Sequence, residues 1–177
     1  MRPYHTLEVR WFWRGDAGAV GAWFSDLGPP VASESRTDRY LGPTSDDLGV
    51  KLREGRVEAK RREGAEGTLP GRPETVAAWA KWSFPILGRP IPDGGWVEVA
   101  KARRQRAVHL AGAACALELS DLRVEGATWG SLCLEAHGPT PAARREALDE
   151  AVRQWLADPP PLGDALASGY PAWLRSR

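Results

Sequence analysis

The sequence predicts an α+β fold that is mainly β, with an antiparallel sheet that closes or nearly closes and amphipathic helices packed outside it. Roughly six or seven segments alternate apolar and polar residues with the period of a strand. Other segments repeat apolar residues at helical spacing, each with one apolar stripe. Because every predicted strand also has one apolar face, we expect the helices to cover those faces from outside.

Composition and charge limit the classes of function. The chain has 177 residues, 42% hydrophobic and 27% charged, which is typical of one globular domain spanning 1–177. Its formal net charge of +1 excludes a bulk attraction to nucleic acid, so any anion binding must come from local charge. The sequence has no signal-peptide pattern and no run near the roughly 18 apolar residues of a membrane span. We therefore expect a cytoplasmic protein with no membrane partner.

The residue types that commonly carry nucleophilic or metal chemistry are scarce. Cys115 and Cys133 have no CxxC or Cys/His spacing, which predicts two free thiols in a reducing compartment. The three histidines form no His-Ser-Asp or His-Cys arrangement that their spacing supports, so a nucleophilic hydrolase is not expected. Most of the nine tryptophans fall in predicted strands or helices, where they are expected to form the core.

The first third of the chain contains a strand, a helix and a charged hairpin. TLEVRWFW (6–13) alternates as a strand, and Asp16 is expected to cap a helix that Gly28 ends. SESRTDRYLG (33–42) is a further predicted strand. LGVKLREGRVEAKRR (48–62) predicts two strands around a turn, with one apolar face and one heavily charged face.

The rest of the chain contains three more strands and three predicted helices. PETVAAWAKWSF (73–84) predicts a short helix with Pro73 in its first turn, followed by a loop over 85–95. Strands are expected over 96–110, 114–124 and 128–138. The clearest helix spans 140–157, with Thr140 as its cap, and a second C-terminal helix is predicted at about 162–175.

The orientation of the charged strand faces decides the function. Charges on strands commonly face solvent, and periodicity alone favours that alternative. In a closed barrel the same faces would line the interior, where they must neutralise one another or bind a ligand, since uncompensated buried charge is costly. Periodicity leaves both orientations open.

The order of charged motifs resembles that of the CYTH family, also called the triphosphate tunnel metalloenzymes, over nearly the whole chain. The matching segments are TLEVRWFW for the family's ExExK strand, DRYL for D-x-Y, VKLRE for R-x-R, VEAKRR for the lysine strand, VAKARR for K-x-R, and LELSDL and LCLEAHG for the late acidic strands. The resemblance implies an eight-stranded antiparallel closed barrel that forms a tunnel. It also implies that the charged faces point inward.

The resemblance further implies a site for a triphosphate or other polyphosphorylated small molecule, with nucleic acid bound only through a 5′-triphosphate end. Lys and Arg suit phosphate oxygens, and carboxylates suit Mg²⁺ or Mn²⁺. The implied substrate-binding residues are Arg10, Lys51, Arg53, Lys60, Lys101 and Arg103. The implied metal ligands are Glu8, Glu118 and Glu135, and the implied catalytic residues are Glu8, Lys51 and Lys60.

The chain departs from the family pattern at positions that matter for metal binding. Thr6 replaces the first carboxylate of ExExK, Arg10 replaces its lysine, and Cys133 occupies an expected acidic position. Fewer charged oxygen ligands weaken the binding of a hard cation. Two hypotheses therefore stand: metal-dependent hydrolysis of a triphosphate, and a catalytically weakened module that binds a phosphorylated ligand or a protein. A cyclase is a third possibility within the family.

Overall fold

Eight antiparallel strands close into a barrel in the computed structural model, which describes residues 2–87 and 94–177. The elements are β1 Tyr4–Arg14, α1 Gly18–Asp26, β2 Ala32–Leu41, β3 Leu48–Arg53, β4 Arg56–Thr68, β5 Thr75–Pro85, β6 Trp96–Leu110, β7 Ala113–Val124, β8 Ala127–His137, α2 Pro141–Trp155, β9 Leu166–Ala167 and α3 Tyr170–Ser176. The predicted loop over 85–95 lies largely outside the described residues.

The strands follow the order β5-β4-β3-β2-β6-β7-β8-β1, and β1 closes the barrel by pairing with β5. The pairing of β1 with β5 spans only Tyr4–Glu8 opposite Ala77–Lys81. Beyond it the short strand β9 pairs with β1, and the Ser168 amide donates to the Arg10 carbonyl oxygen at 2.9 Å. The predicted mainly β, closed eight-stranded architecture is confirmed.

The main apolar core lies between the outer face of the barrel and the helices. Leu7, Val9 and Trp11 on β1 are buried in one cluster with Leu148 and Val152 of α2. Helix α2 begins as predicted, because the Thr140 hydroxyl accepts a hydrogen bond from the Ala143 amide at 3.1 Å. Since the apolar strand faces point outward, alternation along each strand turns the charged faces into the barrel.

A second, aromatic cluster fills one end of the barrel interior, where α3 packs. The rings of Phe12 and Trp173 stack with centroids 4.3 Å apart, and those of Tyr40 and Tyr170 stack at 5.1 Å.

The predicted second C-terminal helix of about 162–175 is wrong in its first half. Residues 166–167 instead form β9, and α3 begins at Tyr170.

The predicted helix over 73–84 is also wrong, because this segment forms β5. Val76, Trp79 and Ala80 are all buried, although Trp79 lies on the opposite face of the strand from the other two. Burial on both faces produces an i, i+3, i+4 spacing that resembles a helix. The strand is needed here because it pairs with both β4 and β1 and so completes the barrel.

The predicted cap of helix α1 by Asp16 is wrong, whereas the prediction of two free cysteines is confirmed. Helix α1 has no side-chain cap, and Asp16 instead accepts a hydrogen bond through its main-chain oxygen from the Trp13 indole at 2.7 Å. Cys115 and Cys133 are both free and buried, as predicted. Within residues 2–87 and 94–177, no helix has the length and apolar character needed to cross a lipid bilayer.

Candidate functional site

All the site residues predicted from the sequence line one cavity inside the barrel, with a volume of about 180 Å³. They are contributed by β1, β3, β4, β6, β7 and β8, and each lies on the inward face of its strand. The residues brought together are Glu8, Arg10, Lys51, Arg53, Lys60, Lys101, Arg103, Glu118 and Glu135. We call this space the interior cavity.

The interior cavity has further polar and aromatic walls for which the sequence predicts no role. Arg36 lies two residues before Asp38 on β2, and Glu58 lies two residues before Lys60 on β4, so period two places both inside. Lys81 lies on the inward face of β5, and the predicted helix over 73–84 gives it no such position. Tyr170 reaches the cavity from α3, where no sequence pattern indicates a site.

Positive charge is in excess around the interior cavity. Eight cationic and four acidic side chains line it, and the carboxylates of Asp38 and Glu34 pair with several of these cations, which leaves an excess of two positive charges. The cationic residues are Arg10, Arg36, Lys51, Arg53, Lys60, Lys81, Lys101 and Arg103. An excess of positive charge in a partly enclosed space favours the entry of an anion.

Lys60 and Arg10 each form ion pairs with two of the carboxylates that β1, β7 and β8 contribute to the cavity. Lys60 contacts Glu8 and donates to Glu135, with 3.0 Å between Nζ and Oε1. Arg10 donates through Nε to Glu8 Oε1 at 3.3 Å and through Nη1 to Glu118 Oε1 at 3.2 Å. Burial alone would lower the pKa of Lys60, but the two adjacent carboxylates outweigh it and raise this pKa well above its ordinary value.

A second group of charges is built around Asp38, which is completely buried. Its carboxylate lies 3.1 Å from Lys101 Nζ, 3.3 Å from Lys51 Nζ and 3.1 Å from Arg36 Nε. Burial would raise the pKa of Asp38, but these three cations outweigh it and hold the pKa well below its ordinary value. Asp38 is therefore a fixed anion that orients three basic side chains toward the cavity.

Glu118 lies on β7 at the wall of the interior cavity and is surrounded by hydrogen-bond donors. Arg103 Nη1 and Gln105 Nε2 each donate to its Oε2 at 3.2 Å, and Arg10 donates to its Oε1. Burial would raise the pKa of Glu118, but Arg10, Lys101 and Arg103 outweigh this effect and lower the pKa to about 2. The carboxylate is thus charged at any physiological pH.

Two lysines of the cavity have lowered pKa values although carboxylates lie beside them. Burial, followed by repulsion from Lys101, lowers the pKa of Lys51 to about 8, while Asp38 at 3.3 Å and Glu58 at 3.2 Å oppose the shift. Burial also lowers the pKa of Lys101 to about 8, with Arg10 adding to the effect, although Asp38 and Glu118 oppose it. An added anion would relieve the repulsion between these ammonium groups.

Several buried donors at the cavity wall find no acceptor among the described residues. They are Arg53 Nε, Arg103 Nε and the Tyr170 hydroxyl. The Tyr170 ring also lies 4.1 Å from Lys101 Nζ, measured to its centroid, so α3 contributes directly to the site. A buried donor without a partner costs about 1–3 kcal/mol, and a bound ligand with several acceptor oxygens would remove that cost.

The acidic side chains do not fit a divalent metal in this arrangement. Glu8 lies opposite Glu135 in the β1–β8 register, but Lys60 contacts both carboxylates where a metal would bridge them. Glu118 is joined to Glu8 through Arg10. Thr6 and Cys133, where the resemblance in the sequence leads one to expect carboxylates, are fully buried and add no charged oxygen. No group of three metal-ligating side chains occurs in the described part of the chain.

Comparisons with known proteins give no family assignment. No protein-family model matches the chain, and no curated protein matches it. The chain is similar in structure to the S. pombe Pct1 RNA triphosphatase, solved in complex with the Spt5 CTD, with 12% identity, a TM-score of 0.48, and 89% of this chain and 84% of that chain covered. It is also similar to a conserved hypothetical protein from Pyrococcus furiosus, with 16% identity, a TM-score of 0.39, and coverage of 84% and 90%. These likenesses do not bear on what this chain binds.

Proposed function

We propose that the barrel binds a triphosphate or another short polyphosphate in its interior cavity. The observation that carries this proposal is the convergence of eight cationic side chains on one cavity, where they outnumber the carboxylates that line it or pair with them. The remaining positive charge favours an anion, and a polyphosphate chain brings several charges and many acceptor oxygens into a small space. The unpartnered donors of Arg53, Arg103 and Tyr170 support the same ligand class.

The basic residues would have different roles. Arg53 and Arg103 each have a buried Nε without a hydrogen-bond acceptor, so they would donate directly to phosphate oxygens. Lys51 and Lys101, whose pKa values burial lowers to about 8, would regain full charge beside the ligand. Arg10 and Lys60 are already engaged with carboxylates and would shape the cavity more than they contact the ligand.

Calorimetric titration of tripolyphosphate in EDTA tests this proposal, with Arg53→Ala as the site variant. Arg53 has only loose ion pairs, at 3.6 Å or more, so its removal should not unfold the barrel. We expect binding at one site and a loss of roughly 10-fold or more in affinity for Arg53→Ala, since a hydrogen bond to a charged group contributes about 1.5–3 kcal/mol.

Arg61→Ala is the matched control, because Arg61 lies on the outer face of the β3–β4 hairpin and its side chain is 61% exposed. It should bind tripolyphosphate within about two-fold of the wild type, as expected for an exposed charge. No binding by the wild-type protein, or equal losses in the two variants, would contradict a phosphate site inside the barrel.

Hydrolysis of the bound triphosphate with Mg²⁺ or Mn²⁺ is the second candidate function. The observation that favours it is the presence of Glu8, Glu118 and Glu135 on the wall of the same cavity, although Lys60 and Arg10 already pair with these carboxylates, which do not fit a metal in the present arrangement. Phosphate release from tripolyphosphate, ATP and thiamine triphosphate, measured with each metal and with Glu8→Gln as the control, tests it. Binding without metal-dependent release would leave the first function standing and exclude this one.

A further inference from the structure

One outward-facing apolar surface of the barrel lies apart from both buried clusters of the described chain. It is formed by β3, β4 and β5, whose registers place its side chains in two neighbouring rows across the three strands. One row consists of Val50, Ala59 and Trp82, and the other of Leu52, Val57 and Phe84. We call these six residues the outer apolar face.

The outer apolar face points away from the interior cavity. Lys51, Glu58 and Lys60 line the cavity, so the residues that alternate with them on β3 and β4 point to the opposite side of the sheet. Trp79 and Lys81 fix the same alternation on β5. A partner on this face would therefore leave the phosphate-binding space unchanged.

The apolar side chains of the outer apolar face are only partly shielded from water. Helix α2 packs on β1, β6, β7 and β8, and neither buried cluster of the described residues includes a member of this face. Phe84 is 43% exposed, and the other five residues are half-buried. A contiguous apolar surface that includes a tryptophan and a phenylalanine is typical of a protein–protein contact.

Charges of opposite sign lie at the two ends of this face. Arg61 occupies the next outward position of β4, and its side chain is 61% exposed. Glu54 lies at the tip of the β3–β4 hairpin, and its side chain is 68% exposed. Arg56, beside the same tip, is on the inner side of the sheet, where its Nε donates to Ser83 Oγ at 2.6 Å. The outer apolar face thus has a cation at one end and an anion at the other.

We propose that the outer apolar face is the two-fold interface of a homodimer, in which two barrels pack sheet against sheet with their β4 strands antiparallel. An axis that lies between the sheets and crosses the strands brings Arg61 of each copy to Glu54 of the other, so the same ion pair forms twice. An axis along the strands would bring like charges together. The side chains of Trp82 and Phe84 would fill the roughly 10 Å between packed sheets.

The two signs of charge are the reason for choosing a second copy as the occupant. A surface with a cation at one end and an anion at the other complements itself when it is reversed. A nucleic acid or an anionic membrane would instead require positive charge across the whole face.

The size of the face predicts a weak dimer. Three strands about 4.8 Å apart, followed over about five residues of about 3.3 Å each, cover roughly 14 by 17 Å. This is small beside the roughly 800 Å² that each partner contributes to a standard interface, so we expect association in the micromolar range.

Sedimentation equilibrium of the full chain, from low to high micromolar concentration, tests the proposal. We expect a monomer–dimer equilibrium whose dissociation constant Phe84→Glu raises about 10-fold or more, because two unpaired carboxylates would be buried in the interface. Leu166→Glu is the matched control, since Leu166 is 49% exposed and lies on β9, away from this face. It should change the dissociation constant by less than about two-fold. A monomer at every concentration, or equal effects of the two variants, would overturn the proposal.

A charge exchange tests the antiparallel arrangement and does not depend on how Phe84→Glu folds, because it alters only exposed side chains. Arg61→Glu and Glu54→Arg each place like charges at both ends of the interface and should weaken the dimer by about three-fold or more. The double variant restores opposite charges and should recover the wild-type dissociation constant. If the double variant is as weak as the single variants, or if none of the three differs from the wild type, the two copies do not meet through this face as proposed.

Discussion

Lys60 donates a hydrogen bond to Glu135 inside the barrel, with 3.0 Å between Nζ and Oε1. The same ammonium contacts Glu8, which lies opposite Glu135 in the register of β1 and β8. One internal cation therefore bridges two facing carboxylates, and the adjacent carboxylates raise the pKa of Lys60 despite its burial. The position at which two carboxylates would share a metal is held by a side chain of the protein itself.

Removing this ammonium should destabilise the protein and create an affinity for divalent cations. Lys60→Ala leaves Glu8 and Glu135 facing each other without a shared cation. Because the Lys60 side chain is 27% exposed, we expect a loss of roughly 2 kcal/mol in the free energy of unfolding, or a fall of about 5 °C in Tm. Differential scanning fluorimetry with and without Mn²⁺ should show that Mn²⁺ restores several degrees in the variant and changes the wild type little. An equal Mn²⁺ response in both proteins would show that Lys60 does not replace a metal.

Polyphosphate affinity should fall as pH rises from about 7 to 9. Burial lowers the pKa of Lys51 and of Lys101 to about 8, so the free protein loses these charges through that range. A bound anion raises both pKa values, and binding above pH 8 therefore takes up protons and weakens as they become scarce. Calorimetry in two buffers of different ionisation enthalpy measures this uptake.

Lys51→Arg provides the control for the pH profile, because arginine keeps its charge throughout the range. Its affinity should decline less steeply with pH than that of the wild type, and the comparison cancels the titration of the ligand. Parallel profiles for the two proteins would mean that Lys51 does not titrate on binding.

The aromatic cluster under α3 should contribute substantially to stability. Trp173 is fully buried and stacks on Phe12 at 4.3 Å, so Trp173→Ala should cost about 3–5 kcal/mol. Arg175→Ala, on the exposed side of the same helix, removes only a surface pair with Asp46 and should cost less than about 1 kcal/mol. Urea denaturation measures both, and similar midpoints for the two variants would show that α3 is not part of the core.

Much of the barrel could be predicted from the sequence because most of its strands have one buried apolar face. The stripe Leu7, Val9 and Trp11 is covered by helices, and its period of two is unbroken. In β5 the rule fails, because Val76 and Ala80 pack outward while Trp79 is buried inward. Period-two alternation cannot identify a strand that is buried on both faces.

The sequence could bring part of the cavity lining to one interior, but it gave neither the pairings of these residues nor the rest of the wall, and their roles stay predictions. The order of charged motifs brings Lys51, Lys60 and Glu135 to one interior, and the structure places all three at one cavity. The sequence does not specify strand register, so it does not reveal that Lys60 lies between two carboxylates. No sequence pattern indicates Tyr170, because only the packing of α3 brings it to the cavity.

The short pairing of β1 with β5 has a consequence for how the barrel opens. It joins only Tyr4–Glu8 to Ala77–Lys81, whereas β6 and β7 remain paired from Ala100 to Leu110. Local unfolding is easier where few hydrogen bonds must break together, so the amide hydrogens of this junction should exchange with solvent before those of β6 and β7. Since Trp79 lies on this junction, a ligand that contacts Trp79 would slow the hydrogen exchange of the junction. Transient opening of the barrel between β1 and β5 would in turn limit the rate at which such a ligand dissociates.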